Sequence, residues 1–387
     1  MLLKTKPLRI LHLITSLNVG GAQMHLYKTV TRLHPRKIAS LVVSLAPVGM
    51  IGKRLQGRKI PVEDVGMRPG VLNPLAFTRL VRLIRRFQPH IVQTYLYHAD
   101  LLGLLAARLA GVPTVIWNLR QSRMDFRRYR RTTSLTVGLC ARLSRQVQRI
   151  LVNSHAGLKA HAHLGYDPGR MQVIPNGFDL DHFRPNPQSY RDVRQELGLH
   201  PAARIVGMLA RFDPQKDHET FLKAAQLVSA RLPETYFLLA GNGLTSDNPA
   251  LAPMVAATPI DPERLRLLGE RHDISRLLAA LDVHVSSSAF GEGFANIIGE
   301  AMACRVPCVV TDVGDSAFIV GETGLVAQPG NPRDLAGLIE KALTWPPAER
   351  DARGEAARAR IQQKFDINHI VAQLESLYLD TAFQSAA

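Results

Sequence analysis

Short apolar runs alternate with amphipathic stretches of helical length along most of this 387-residue chain. The first half contains six such runs, namely LRILHLI, IASLVVSL, IPVEDV, HIVQTYL, TVIWNL and RILVNS. The second half contains five more, namely RIVGML, YFLLA, LRLLG, DVHVS and CVVTD. Strands that are separated by helices form parallel sheets with helices on both faces. The sequence therefore predicts an α/β protein made of two doubly wound halves.

The segment between the two sets of strands reads VIPNGFDLDHFRPNP. Its Asn-Gly pair and its prolines indicate a linker. We therefore predict domains at 1–182 and 183–364, followed by a helix at 365–387 whose apolar residues recur at helical spacing. In open α/β sheets the ligand binds at the carboxyl ends of the strands. A ligand is therefore expected in the cleft between the two halves.

Composition and local pattern exclude several classes of protein. No apolar stretch approaches the roughly 18 residues of a membrane-spanning helix, and His12 interrupts the first run, which predicts a buried strand rather than a signal peptide. The three cysteines lack the spacing of a disulfide framework or a zinc site. The sequence DLD at 179–181 lies in the linker, and HAH at 161–163 lies in a predicted helix with solvated side chains. We expect a cytoplasmic protein with no metal site.

Charge is distributed unevenly along the chain. Residues 1–182 hold 28 Lys and Arg against 7 Asp and Glu, whereas residues 183–387 hold 20 against 25, which together give the net charge of +16. The densest basic run contains Arg123, Arg127, Arg128, Arg130, Arg131, Arg142, Arg145 and Arg149. This asymmetry indicates an anionic partner, either nucleic acid or an anionic membrane surface. A solvated basic face without a partner is the third interpretation.

A glycine pair, Gly20 and Gly21, follows the first predicted strand. The next helix is predicted to begin at about Ala22. Two glycines let the backbone approach a ligand closely, and a helix N-terminus attracts phosphate. A tight strand-to-helix turn explains the same pair without any ligand.

Arg211 and Lys216 share the loop that follows the first strand of the second half. Arg supplies a bidentate fork and Lys a mobile point charge. Together they can neutralise a diphosphate whose negative charge grows as it leaves. Solvated surface residues are the alternative interpretation.

Two glutamates stand eight residues apart near one predicted helix start. Glu292 lies in a glycine-flanked loop, and Glu300 is predicted about two turns inside the helix. With a rise of about 1.5 Å per residue, they lie roughly 10–12 Å apart, which suits two parts of one elongated ligand better than an acid–base pair. The amides between them can bind an anion. They belong to Gly293, Phe294, Ala295, Asn296 and Ile297.

These motifs together resemble one family, the retaining GT-B glycosyltransferases of family 4. The resemblance rests on the Glu-x7-Glu pair in EGFANIIGEAMA, the Arg211 and Lys216 loop, GGAQ, IPNGFD and LRLLGERHDISRLLAALDV. The motifs follow the family's order from about residue 8 to about residue 380. The implied fold is GT-B, with two Rossmann-like domains facing across a cleft and a C-terminal helix that crosses back onto the first.

The resemblance implies that the second half binds a nucleoside-diphosphate sugar, of UDP or GDP type, without a cofactor. Glu300 would accept hydrogen bonds from the ribose hydroxyls. Glu292 and the amides of 293–297 would contact the transferred sugar. Arg211 and Lys216 would hold the diphosphate.

Two further segments receive implied roles from the same resemblance. Gly21, next to Gly20, would approach the donor diphosphate from the first domain. The segment LLGER at 267–271, which ends in Arg271, would lie beside the base.

The loop after TVIWNL departs from the family pattern. Many members carry a histidine there, whereas this chain reads Asn118, Leu119 and Arg120. Arg120 could stabilise developing negative charge or hold a phosphate of the acceptor, and both roles stay open. His98, at the end of the preceding strand, is the nearest alternative catalytic group, although helix capping or packing is the favoured explanation for it.

Two smaller departures leave the implied donor site intact. Gln23 stands where a Glu often follows the glycine pair, and Arg305 stands where a Gly is common after AMAC.

We therefore expect a peripheral hexosyltransferase on the inner face of the cytoplasmic membrane, with its basic first half on the anionic lipid. It would move a sugar from a nucleoside diphosphate to a lipid-linked glycan in surface polysaccharide assembly, with retention of configuration and without a metal ion. One alternative is a nucleotide-sugar epimerase of the same architecture, whose pattern is not found here. The other is a basic nucleic-acid-binding protein. It explains the charge alone, because the chain has no interleaved aromatic platform, so no nucleic acid partner is expected.

Overall fold

The computed structural model describes residues 6–68, 73–121, 131–200 and 202–386, which form two compact units. Unit 1 consists of the described chain up to Gly177 together with the C-terminal segment from Ile367 onward. Unit 2 is Phe178–Asp366. The predicted division after residue 182 falls a few residues inside unit 2, and the predicted helix at 365–387 lies almost wholly in unit 1.

Unit 1 is built on a parallel seven-stranded sheet in the order β3-β2-β1-β4-β5-β6-β7. Its strands are β1 Leu8–Ile14, β2 Ile38–Ser44, β3 Val62–Asp64, β4 Ile91–Tyr95, β5 Val115–Leu119, β6 Arg149–Val152 and β7 Met171–Val173. Its helices are α1 Gly21–Val30, α2 Met50–Gly57, α3 Pro74–Phe87, α4 Tyr97–Ala110, α5 Arg131–Leu143 and α6 His155–His163. The C-terminal helix α15 Ile367–Ala386 completes this unit.

Strand β1 shows why helices cover both faces of this sheet. Alternate residues of a strand point to opposite faces, and all the apolar residues of β1 from Ile10 onward are buried. Leu11 and Leu13 pack with α3, α4 and α5. Ile10 packs with α15, and Ile14 packs with α1 and α2. The predicted doubly wound arrangement is therefore confirmed for unit 1.

Unit 2 is built on a parallel six-stranded sheet in the order β10-β9-β8-β11-β12-β13. Its strands are β8 Arg204–Leu209, β9 Thr235–Ala240, β10 Leu265–Leu267, β11 Val283–Ser286, β12 Cys308–Thr311 and β13 Leu325–Ala327. Its helices are α7 Pro187–Glu196, α8 His218–Arg231, α9 Ala252–Ala256, α10 Ile274–Leu278, α11 Asn296–Ala303, α12 Ser316–Val320, α13 Pro332–Thr344 and α14 Pro347–Phe365. The second predicted Rossmann-like half is thus also confirmed.

Local signals place the ends of α3 and α4 correctly. The Asn73 side chain accepts hydrogen bonds from the amides of Leu75 and Ala76 at 3.0 and 3.3 Å, and Pro74 is the first residue of α3. Helix α4 ends at Gly111, whose φ of 79° is readily adopted by glycine. The edge strands β7 and β13 are missing from the sequence prediction, and the central residue of each is exposed.

Helix α15 packs against the sheet of unit 1 along the predicted apolar face. Ile367, Ile370, Val371, Leu374 and Tyr378 are buried together with residues of β1, β4 and β5. The Tyr378 hydroxyl donates a hydrogen bond to the buried Gln93 Oε1 of β4. The C-terminal helix is therefore joined to unit 1 by both apolar and polar contacts.

A carboxyl group lies in the core of unit 1. Asp100 of α4 is fully buried, and Thr94 Oγ1 donates to its Oδ1 at 2.5 Å. Within the described residues its Oδ2 has no hydrogen-bond partner. Burial raises the pKa of Asp100 from 3.8 to about 7, and the Thr94 hydrogen bond opposes this only in part.

We expect the stability of unit 1 to fall as the pH rises through the range from 3.8 to about 7. In that range the folded state keeps a proton that the unfolded state has released, so the free energy of unfolding decreases with pH. Asp100→Asn should remove this dependence and stabilise the protein at pH 8 by about 2 kcal/mol or more, at about 1.4 kcal/mol for each pKa unit. Urea unfolding at pH 5 and at pH 8 measures the free energy of unfolding of the wild type and of Asp100→Asn. The exposed Asp380→Asn is the control, and an equal pH slope in both variants would contradict the prediction.

Candidate active site

Two loops of unit 2 carry most of the predicted donor-binding residues. The loop after β8 holds Arg211 and Lys216, and the loop after β11 holds Glu292. Strands β8 and β11 are hydrogen-bonded neighbours in parallel register. Because parallel neighbours end at the same edge of a sheet, the two loops lie side by side at the carboxyl ends of the strands.

The structure brings Lys216 and Glu292 together as an ion pair. Lys216 Nζ donates to Glu292 Oε1, and the two side chains are only 14% and 7% exposed. Ser288 Oγ, also buried, donates to the same oxygen at 2.7 Å. The carboxylate is therefore held by a cation and a hydroxyl, in a place where an unpaired charge would be costly.

A second serine fixes the backbone of the lysine loop. Ser287 Oγ lies 2.9 and 3.1 Å from the carbonyl oxygens of Lys216 and Asp217. Asp217 has a φ of 52°, a left-handed conformation that is uncommon outside glycine. Its side chain also caps α8 by accepting from the amide of Thr220 at 3.1 Å. These contacts set the position from which Lys216 reaches Glu292.

The roles of Ser287 and Ser288 were not predicted from the sequence. The available signal is the run SSS at the end of β11, because hydroxyls at the carboxyl end of a buried strand lie at the ligand edge of the sheet.

Arg211 is not part of the ion pair. Its side chain is 58% exposed, and its Nε lies 3.2 Å from Asp213 Oδ2. The guanidinium therefore has a solvent-facing surface that remains accessible to a ligand.

The position predicted for Glu300 needs correction. Helix α11 begins at Asn296, so Glu300 lies about one turn inside it rather than two. The chain from Glu292 to Ala295 is not helical, so the separation of 10–12 Å that assumed a continuous helix does not apply. The residue before α11, Ala295, makes no side-chain capping hydrogen bond.

The residues between the two glutamates differ in what they offer to a ligand. The buried Phe294 ring stacks on Phe178 at 6.0 Å and meets Phe365 edge-on at 5.6 Å. Ala295 is also buried, whereas Asn296 and Ile297 are partly exposed. Phe294 thus holds the loop on the core of unit 2, and its backbone is the part that could contact a ligand.

A nearby glycine keeps the Glu292 loop in place. Gly314 has a φ of 63°, and a Cβ atom there would lie 2.3 Å from the Glu292 carbonyl oxygen. The Asp315 amide donates to the carbonyl of Gly293 at 3.0 Å. The loop after β12 therefore packs closely on the loop after β11.

Arg271 already has two carboxylate partners. It pairs with Asp273 at 2.8 Å and with Glu196 of α7 at 2.9 Å. The hydrogen bond from Arg271 is the main reason that the pKa of Asp273 falls to about 2. The guanidinium therefore fixes the loop after β10, where the predicted contact with the base would fall.

Arg305 adopts a φ of 63° after α11. Glycine tolerates this left-handed conformation better than other residues do. The structure thus gives a backbone reason for the glycine expected at this position.

Gly20 and Gly21 lie in unit 1, where α1 begins at Gly21, one residue before the predicted start. A Cβ atom on Gly20 would lie 2.4 Å from Gln23 Oε1, whereas one on Gly21 would meet nothing within 4 Å. Gln23 Nε2 donates to the Ser16 carbonyl at 3.2 Å. The start of α1 at Gly21 is therefore open.

Arg120 and His98 also lie in unit 1. The Arg120 guanidinium donates to the side-chain oxygens of Asn118, at 3.4 Å, and of Asn176. Burial lowers the pKa of Arg120 to about 10. His98 is the second residue of α4, and partial burial lowers its pKa. The preceding Leu96 has a φ of 74°, a conformation that is strained for a leucine.

One of the two histidines of HAH differs from the expectation of solvated side chains. His161 is fully buried, with its ring nitrogens 2.8 Å from the Tyr97 hydroxyl and 2.7 Å from the Gly157 carbonyl. His163 is exposed, as expected. In DLD, Asp179 accepts hydrogen bonds from the amides of Asp181 and His182 and so closes a turn.

Among the described residues, no group of three or more His, Cys, Asp and Glu side chains is arranged to hold a metal ion. No helix in the described part of the chain is long and apolar enough to cross a membrane.

Comparison with known proteins defines the class. The family model described as Glycosyltransferase Family 4 matches residues 19–182, and the one described as Glycosyl transferases group 1 matches residues 203–344. The chain belongs to this family of GT-B glycosyltransferases.

Individual relatives cover most of the chain. A crystal structure of HepE from Anabaena in complex with UDP has a TM-score of 0.83 and 25% identity, and covers 96% of this chain and 100% of that one. The Escherichia coli enzyme named UDP-Gal:alpha-D-GlcNAc-diphosphoundecaprenol alpha-1,3-galactosyltransferase is 29% identical over 309 residues, 78% of each chain. The Bacillus subtilis protein named glycosyltransferase EpsF is 27% identical over 391 residues, an alignment that covers 95% of this chain and 92% of EpsF.

Proposed function

We propose that this protein is a retaining, metal-independent hexosyltransferase. It transfers a sugar from a nucleoside-diphosphate sugar to a lipid-linked glycan during the synthesis of a surface polysaccharide. The observation that carries the proposal is the buried Lys216–Glu292 pair, held by Ser288 at the carboxyl edge of the unit 2 sheet. In this pair a cation and a carboxylate lie side by side, and a sugar diphosphate needs a cation for its phosphates and a hydrogen-bond acceptor for its hydroxyls.

Donor binding would separate this pair. The diphosphate takes Lys216, and the exposed guanidinium of Arg211 supplies a second cation. Glu292 is then free to accept hydrogen bonds from sugar hydroxyls, with Ser288 keeping it in place. Because two cations can neutralise the leaving diphosphate, the reaction needs no metal ion.

Transfer would follow the family pattern. The bond between the anomeric carbon and the diphosphate oxygen breaks while the acceptor hydroxyl attacks the same face of the sugar. The hydroxyl proton passes to the departing phosphate. Lys216 and Arg211 stabilise the charge that develops on this leaving group.

UDP is the proposed donor nucleotide. HepE crystals contain UDP and UDP-glucose, and the name of the Escherichia coli relative specifies UDP-galactose. The same name gives that relative's acceptor as a sugar on diphosphoundecaprenol. We propose an acceptor of this kind, a glycan joined to a lipid through phosphate.

Glu300→Ala should weaken UDP binding by about 1.5–3 kcal/mol, the range for hydrogen bonds to a charged group. The reason is the proposed contact of the carboxylate with the ribose hydroxyls. Titration calorimetry with UDP measures the loss. The exposed Glu263→Ala is the matched control, and an unchanged affinity in Glu300→Ala would rule out the ribose contact.

Product analysis tests the proposed reaction. The enzyme is incubated in EDTA with UDP-glucose or UDP-galactose and N-acetylglucosaminyl-diphospholipid, and the product is examined by NMR. We expect a new glycosidic bond with the α configuration of the donor. A β-linked product would contradict retention. Release of an epimerised sugar without acceptor would support the epimerase instead.

A three-helix surface of unit 1 is proposed to bind the inner face of the cytoplasmic membrane. Helices α3, α4 and α5 pack side by side on the sheet through one apolar cluster. Their outer faces expose five leucines and six arginines: Leu75, Leu105, Leu109, Leu135, Leu139, Arg79, Arg82, Arg85, Arg86, Arg108 and Arg142. Their one acidic residue is the buried Asp100. Such a surface attracts anionic lipid.

Part of the predicted basic run cannot be placed on this surface. Arg123, Arg127, Arg128 and Arg130 lie outside the described residues.

Removing three arginines of α3, with Arg79, Arg82 and Arg85 replaced by glutamine, should weaken binding to anionic vesicles. At about 1 kcal/mol for each cation near the surface, the loss is about a hundredfold. Sedimentation with vesicles containing phosphatidylglycerol measures it. Replacing the exposed Lys53, Arg58 and Lys59 at α2 by glutamine is the charge-matched control. Equal losses in the two triple variants would contradict a membrane face on α3.

A further inference from the structure

Arg120 is a partly buried cation of unit 1 that has no anionic partner among the described residues. It follows β5, and its guanidinium donates to the side-chain oxygens of Asn118 and Asn176, which are both neutral. Within the described ranges no carboxylate lies within ion-pair distance of it. By contrast, the buried Arg194 of unit 2 pairs with Asp282 at 2.9 Å.

The described groups that interact electrostatically with Arg120 are neutral or positive. His25 of α1 and Tyr95 of β4 are buried near it. Burial, followed by the charges of Arg120 and Lys28, lowers the pKa of His25, so its ring stays neutral. Burial also raises the pKa of Tyr95, which keeps its hydroxyl protonated. No group among these neighbours neutralises the guanidinium.

A buried charge is costly unless it is paired. Buried arginines are accordingly almost always found with an anion. The guanidinium fork matches the geometry of a phosphate and can bind it through two parallel hydrogen bonds. Asn118 and Asn176 restrict the side chain and so fix the direction of this fork. An anion would therefore complete the site.

We infer that Arg120 is the centre of a phosphate-binding subsite in unit 1, and that it takes the phosphate through which the acceptor glycan is joined to its carrier. This inference rests on the proposed function and extends it to the acceptor. The donor diphosphate already has two cations, Lys216 and Arg211, in unit 2. A third cation, in the other unit, is available for a second phosphate group.

Calorimetric titration of the full chain with inorganic pyrophosphate tests the subsite. We expect the wild type to bind two equivalents, one at the donor cations and one at Arg120. Lys216→Ala should weaken the donor-side pyrophosphate site, and Arg120→Gln should weaken the other. In each variant we expect the affinity of the altered site to fall by about tenfold to a hundredfold. Arg120→Lys, which keeps the charge without the fork, should recover part of the binding. The exposed Arg36→Gln controls for the net charge of unit 1.

UDP titrations separate the two sources of phosphate. UDP affinity should be unchanged in Arg120→Gln and reduced in Lys216→Ala. If Arg120→Gln weakens UDP binding as much as Lys216→Ala does, the Arg120 guanidinium holds the donor diphosphate and the inference is wrong. The inference is also wrong if Arg120→Gln and the control Arg36→Gln bind the same number of pyrophosphate equivalents with the same affinity. If the wild type binds no UDP, the proposed function fails, while the pyrophosphate titration still reports on Arg120.

Thermal unfolding separates a ligand role from a purely structural one. Removal of a partly buried cation that has no carboxylate partner among the described residues should leave the Tm of Arg120→Gln unchanged or higher. A lower Tm, together with full pyrophosphate binding in the folded variant, would show that Arg120 only supports the fold.

Discussion

Replacing Lys216 by alanine should lower kcat/KM by about a hundredfold to a thousandfold, or about 2.7–4 kcal/mol in the barrier. Two effects combine in this loss. The donor diphosphate loses its most enclosed cation just as its charge develops. In the free enzyme, the buried Glu292 carboxylate loses its cation and keeps the hydrogen bond of Ser288. Both effects act on the same loops of unit 2.

The measurement is steady-state transfer from UDP-sugar to acceptor. Lys223→Ala is the matched control, because this exposed lysine of α8 pairs only with the equally exposed Glu219, and such pairs contribute little. Lys216→Arg should retain part of the activity, since the charge remains. Comparable kcat/KM values for Lys216→Ala and Lys223→Ala would contradict a role for Lys216 in the reaction.

The second large effect concerns stability, far from any reacting group. Asp282→Ala should lower the free energy of unfolding of unit 2 by about 3–5 kcal/mol, the range for breaking one side of a buried ion pair. Arg194 Nη2 pairs with Asp282 Oδ2 at 2.9 Å, and both side chains are at most 7% exposed. The same carboxylate oxygen accepts from the amide of Ile205 at the start of β8. The pair therefore joins α7 to β8 and β11.

The two buried charges are themselves costly. Burial raises the pKa of Asp282 and lowers that of Arg194, in both cases against the effect of the partner. The double variant Arg194→Met with Asp282→Leu should therefore regain most of the stability lost in Asp282→Ala. Urea unfolding of the double variant and of the single variants Arg194→Met and Asp282→Leu measures the coupling.

Glu355→Ala provides the control on the surface. Glu355 pairs with Arg305 at 2.7 Å, and the two side chains are about half exposed. Removing the Glu355 carboxylate should lower the free energy of unfolding by at most about 1 kcal/mol. A similar small loss in Asp282→Ala would show that the buried pair does not hold α7 on the sheet.

The fold could be predicted because its signals are local. In β1 and β8 the apolar run coincides with the strand, and in α3 the cap residues Asn73 and Pro74 mark the start. Strands β7 and β13 were not predicted, although the equally short edge strands β3 and β10 were. The central residue of β7 and of β13 is exposed, whereas β3 and β10 contain no exposed residue.

The contacts within the candidate site could not be predicted from the sequence. The ion pair of Lys216 and Glu292 joins groups 76 positions apart, and no local pattern reports such a contact. Glu300 was placed too deep in α11 because the helix was assumed to continue from Glu292. The supporting hydroxyls of Ser287 and Ser288 acquire their meaning only once β8 and β11 are known to be neighbours.

Thermal unfolding with UDP, GDP and ADP, each in the presence of EDTA, tests the central claim most directly. A ligand at a hundred times its dissociation constant adds about 2.7 kcal/mol to the free energy of unfolding. We predict a clear rise in Tm with UDP that EDTA does not abolish. Unchanged Tm values with all three nucleotides, or a rise with UDP that disappears in EDTA, would contradict a metal-independent site for a nucleoside-diphosphate sugar.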